Sequence, residues 1–171
     1  TVKTMQYILK DYLEDLGIET YVENRSVSSV LKENGWPYNR SYDASRLLIK
    51  DIIEGYDSLK LIIDLHRDSS SLDKTLLDVD GKRYARILFV IGTEYDGYED
   101  NYSLANKLMG ILEDSVSGIT RGITKKGGVG VNGIYNQNLS KKMVLIELGG
   151  QYNEIEELNN SLELLAQAVL R

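Results

Sequence analysis

A chain of 171 residues, 42% hydrophobic and 27% charged, has the composition of one folded domain with a sizeable core. No apolar stretch approaches the ~20 residues that cross a bilayer, and no signal-peptide pattern opens the chain. A net charge of −6 with no long basic run argues against non-specific nucleic-acid binding.

Val2, Met5, Ile8, Leu9, Leu13 and Leu16 form a stripe at helical spacing that stops at Gly17. Residues 18–22 read as a short strand, and a polar loop holding the single proline, Pro37, follows. Residues 43–54 form a second helix, ended by Gly55. Residues 59–66 are a nearly continuous apolar run, the pattern of a strand buried on both faces. Asp80-Gly81 is a two-residue hairpin turn between short strand-like stretches. Residues 84–91 are a second buried strand, and 102–114 a helix with Leu104, Leu108, Ile111 and Leu112 on one side. The stretch 117–140, rich in Gly, Asn and Lys, has the length of a functional or mobile loop. A third buried strand covers 143–148, and Ile155, Leu158, Leu162, Leu165 and Val169 stripe a final helix. Alternating helices and buried strands predict a single α/β domain with a mostly parallel central sheet flanked by helices.

Without cysteine the chain has neither disulfides nor thiolate ligands, and its one histidine, His66, limits any metal site to a single imidazole. In open α/β sheets ligands bind beyond the carboxyl ends of the strands. His66 closes the run 59–66 and Glu147 nearly closes 143–148, so an imidazole and a carboxylate are expected at one sheet edge. On these residues alone, a satisfied strand-end histidine and a solvated edge charge fit equally well. Asp64 shares a strand face with His66, and either it or Asp68 can hold the far ring nitrogen of a metal-bound histidine; Asp64 also reads as a plain polar edge residue. Arg67 is suited to pairing with a substrate carboxylate, or is a surface cation. Gly128-Val129-Gly130-Val131-Asn132-Gly133 has the dinucleotide-binding glycine spacing, but no buried strand leads into it and no helix follows directly, so it is a chance match. No G-x-S-x-G turn exists to pair a serine with His66.

Asp64-Leu65-His66-Arg67-Asp68-Ser69 resembles the Asp-x-His-Arg-Asp motif of the stage II sporulation protein P family. Further segments resemble that family in order: Tyr38-Asn39-Arg40-Ser41-Tyr42-Asp43-Ala44-Ser45-Arg46, Thr120-Arg121-Gly122-Ile123, Tyr135-Asn136-Gln137-Asn138-Leu139-Ser140 and Leu145-Ile146-Glu147-Leu148-Gly149-Gly150. Asn138 stands where the family usually has Asp. The resemblance implies a zinc amidase-like fold and zinc-dependent hydrolysis of peptidoglycan amide bonds, as an N-acetylmuramoyl-L-alanine amidase or a stem-peptide endopeptidase, during engulfment. It implies His66 as a zinc ligand and Glu147 as the general base. Arg67, Arg121, Asn136 and Gln137 become candidates to bind glycan or peptide. The family's remaining zinc ligands lie on an upstream strand, so this chain is expected to be a C-terminal portion lacking that strand. An extracytoplasmic place at the wall or forespore septum follows, in proteins anchored to the membrane upstream, with peptidoglycan and other septum proteins as partners. The reading from a different class is a non-catalytic peptidoglycan-binding module that keeps the amidase fold.

Overall fold

A computed structural model describes residues 1–171. The runs carrying His66 and Glu147 form a parallel pair, β1 (Ile62–Asp68) beside β6 (Met143–Gly150), with β1 at the sheet edge. Only Leu65 of β1 is buried, so it is not the strand covered on both faces that its apolar run suggests. β1 starts later than its apolar run because pairing begins where its neighbour begins, with the Ile62 N–H bonded to the Lys142 carbonyl at 2.9 Å. β4 (Ile87–Gly92) lies antiparallel to β6, and β5 (Thr120–Lys126) lies parallel to β4. The order is β1-β6-β4-β5, with two of the three pairings parallel. The expected α/β architecture holds.

Three further sequence expectations are corrected. The run 84–91 is not one strand. Its first two residues end β3 (Lys82–Ala85), which pairs with β2 (Leu76–Val79) in a separate hairpin. Arg86 makes the switch between sheets: its N–H bonds the Thr75 carbonyl at 2.7 Å, and its own carbonyl accepts the Gly149 N–H at 2.9 Å. The Asp80-Gly81 turn closes this hairpin, both residues having positive φ, 52° and 83°. Residues 18–22 pair with no strand, although their pattern suits one. The polar loop around Pro37 contains a short helix, α2 (Val27–Glu33), capped by the Ser26 hydroxyl on the Ser29 N–H at 3.0 Å.

The two faces of the sheet differ. Leu65, Phe89, Ile146 and Leu148 point to one side and join a core of 21 buried residues with α1 (Val2–Asp15), α5 (Tyr98–Ser115) and α6 (Ile155–Leu170). The other side carries a small cluster of Leu88, Val90, Leu145 and Tyr135, with Tyr42 of α3 (Ser41–Gly55) against it. This sparsely covered face is the one that bears His66 and Glu147.

Candidate active site on the open sheet face

His66 and Glu147 are register partners across the parallel pair of β1 and β6. Neighbouring strands lie ~4.8 Å apart, and paired residues point to the same side, so imidazole and carboxylate stand abreast. Leu88 is opposite Glu147 on its other flank, which puts the pair on the face of the Tyr42–Tyr135 cluster. The sequence expectation of a shared place is met, on a sheet face near the strand ends rather than beyond them.

Asp64, two residues back on the same side of β1, accepts a hydrogen bond from the His66 Nε2–H at 2.9 Å. This contact first, then the charges of Asp64 and Glu147, lift the His66 pKa above its ordinary 6.5 against the opposing effect of burial. The imidazole is 44% exposed and Asp64 26%, so solvent screens much of the interaction. A raised histidine pKa means that protonated His66 favours the fold. That contribution is complete below pH 6.5 and disappears as pH rises through the raised value. An NMR titration of the metal-free chain is expected to place the His66 pKa above 6.5, and Asp64→Asn to bring it down to 6.5 or lower. An unchanged value in Asp64→Asn would show that the contact does not govern the ring.

Glu147 is half-buried and its carboxylate makes no hydrogen bond within the chain. Burial, then the nearby Asp68 carboxylate, push its pKa up, while Lys126, His66 and Arg121 pull it back. Asp68 is fixed by an ion pair with Arg121 and accepts the Ser70 N–H at 2.9 Å. Burial raises the Asp68 pKa, but the Arg121 contact and the Ser70 bonds together outweigh it, and the group lies below the usual carboxylate range. Arg121 reaches this place because β4 and β5 run opposite to β1 and β6, so the start of β5 meets their ends. The end of β6 needs its two glycines: Gly149 has φ 61°, and a Cβ on Gly150 would lie 2.9 Å from the Ser70 carbonyl oxygen.

Three other candidates face elsewhere. The Arg67 guanidinium donates to the carbonyls of Gly150 and Asn153, the latter at 3.1 Å, and ties β1 to the turn before α6. Gln137 is fully buried and its amide accepts the Gly92 N–H at 3.0 Å and donates to the Val90 carbonyl at 2.7 Å. That takes Gln137 out of reach of any substrate, a correction to the sequence reading. Asn136 is 6% exposed and holds α3 through the Tyr42 carbonyl and the Ser45 hydroxyl, at 2.9 and 3.0 Å, so it too is a brace rather than a substrate contact. The residues that the sequence reading passed over are Tyr42, Tyr135 and Lys126, whose place beside Glu147 depends on long-range folding. The stretch 117–140 divides accordingly. Its first part is β5 and borders the site, whereas its glycine-rich part lies at the opposite edge, where the Gly128 N–H bonds the Glu94 carboxylate at 2.6 Å.

Zinc takes four ligands in a tetrahedron, usually three from protein in a catalytic site. No three His, Asp or Glu side chains of this chain gather to hold a metal ion. Asp64 is engaged with His66 and Asp68 with Arg121. The residues present do not make a zinc site by themselves.

A mixed-sheet α/β domain with one face packed under helices and an imidazole–carboxylate pair on the other is the class this geometry defines. A model of the family described as Stage II sporulation protein P matches residues 2–170. The Stage II sporulation protein P of Bacillus subtilis (strain 168) is 40% identical over 149 residues, which are 87% of this chain and 37% of that relative. The chain belongs to the stage II sporulation protein P family, a family of sporulation proteins. It spans little more than a third of the length of the curated relative it matches. No solved structure matches it significantly.

Proposed function

We propose that this domain is part of a peptidoglycan hydrolase that cleaves amide bonds, at the muramic acid–L-alanine link or within the stem peptides. The observation that carries the reading is the side-by-side placement of His66 and Glu147 on the open sheet face. A carboxyl raised by burial is suited to exchanging protons near neutral pH. Glu147 would take a proton from the attacking water and pass it to the nitrogen as the C–N bond breaks, leaving a carboxylate and an amine. Asp64 would hold the His66 ring in one orientation. His66 is the imidazole a zinc site would use here, completed by ligands outside these 171 residues. The site would act outside the cytoplasm, at the wall of the dividing sporulating cell, with septum proteins as neighbours.

The missing ligand set favours a second reading, a module that binds peptidoglycan without cutting it. Incubating the complete protein with purified sacculi separates the two. Amide cleavage creates new amino termini without new reducing ends, and binding alone creates neither. Appearance of amino termini is the expected result, and sacculi that retain the protein uncut would leave the binding module. The 171-residue chain alone is expected to keep well under one zinc per chain after dialysis. Near-stoichiometric metal would contradict the account of its ligands.

A further inference from the structure

Tyr135 is the only tyrosine of the chain with positive φ, 52°, and Asn136 follows at 58°. Non-glycine residues held in this left-handed region are strained and persist where the surroundings over-determine them. The surroundings here are specific. The Asn132 carboxamide oxygen accepts the Ile134 and Tyr135 N–H groups at 3.2 and 2.5 Å, and Asn136 and Gln137 lock the next two residues to α3 and β4. The effect is to turn the Tyr135 ring onto the sheet face of Leu88, Val90 and Leu145, edge-on to Tyr42 at 5.4 Å.

Buried tyrosine hydroxyls usually find a partner. Those of the half-buried Tyr12 and Tyr95 do, on Asn159 and Asn101 at 3.2 and 3.0 Å. Those of the two buried tyrosines, Tyr84 and Tyr135, do not, and of these only Tyr135 belongs to the open-face cluster. Tyr135 is 7% exposed, yet its hydroxyl bonds nothing in the chain and is not sealed from solvent. It is therefore a donor presented at the open face. Burial and then the Glu147 charge push its pKa above the ordinary 10, so the phenol keeps its proton at neutral pH.

We propose that Tyr135 is a further catalytic residue, whose hydroxyl donates a hydrogen bond to the carbonyl oxygen of the amide being cleaved beside Glu147. The inference rests on the amide-hydrolase reading above. As water adds to the carbonyl carbon, its oxygen gains negative charge, and the phenol stabilises it without giving up its proton. Donors at this position typically contribute ~10²–10³ in kcat.

The test is Tyr135→Phe in the complete protein, followed on purified sacculi by release of new amino termini. Thermal unfolding is measured alongside. Phe keeps the ring in its cluster, so the unfolding midpoint should stay put while kcat falls ~10²-fold or more and KM changes little. An active wild type with Tyr135→Phe within threefold of it overturns this role and leaves the hydrolase reading standing. A joint fall of kcat and midpoint overturns it in favour of packing. A wild type that releases no amino termini removes the hydrolase reading and this role together.

Discussion

Glu147→Gln in the complete protein is expected to slow peptidoglycan hydrolysis by ~10²–10⁴, the usual range for general-base assistance. The amide keeps the shape of the side chain but cannot accept the water proton. The substitution breaks no hydrogen bond, since the Glu147 carboxylate makes none within the chain. Its effect on stability has the opposite sign from its effect on rate. Burial and Asp68 raise the pKa of Glu147, so the folded state prefers the protonated group. The favourable contribution is complete below the unfolded value near 4.5 and is lost as pH rises through the raised one. At neutral pH the ionised group is a burden on the fold, and Gln removes it. Urea unfolding at pH 7 should give Glu147→Gln a midpoint no lower than wild type. A lower midpoint would mean that the carboxylate is paired in a way this geometry lacks.

Gln137→Leu is expected to act on stability instead. The side chain is fully buried and satisfies one N–H and one carbonyl of β4. Leucine would leave both unpaired, and each buried orphan group costs about 1–3 kcal/mol. A loss of roughly 2–6 kcal/mol follows, a large fraction of a typical domain's stability. Equilibrium unfolding in urea measures it directly. A variant as stable as wild type but weaker on sacculi would instead support the substrate-binding role that the sequence suggested.

That contrast shows where the sequence was legible. The strands carrying His66 and Glu147 stood out because their flanking residues are apolar, and their ends could be read to within a few residues, although β1 proved to be an edge strand with only Leu65 buried. Their shared face followed from strand periodicity once pairing was granted. β5 did not stand out, because an edge strand reading Thr-Arg-Gly-Ile-Thr-Lys-Lys buries little and resembles a loop. The break at Arg86 was hidden for the reverse reason, since Tyr84 and Ala85 are as buried as the strand that follows. Asn136 and Gln137 were read as substrate-facing because polar residues in loops usually meet solvent. Only the fold reveals that they point inward to brace β4 and α3. Tyr135 stood in a segment resembling the family, but nothing local showed its conformation or its place on the open face, since its positive φ is imposed by Asn132 and by its neighbours' anchors.

In the proposed function, His66 and Glu147 form one hydrolytic site with different roles. The most direct measurement follows bound zinc and released amino termini together on purified sacculi, for wild type, His66→Ala and Glu147→Gln in the complete protein. Glu147→Gln is expected to keep zinc and lose hydrolysis, whereas His66→Ala loses both. Cleavage by Glu147→Gln at a near wild-type rate would contradict these roles.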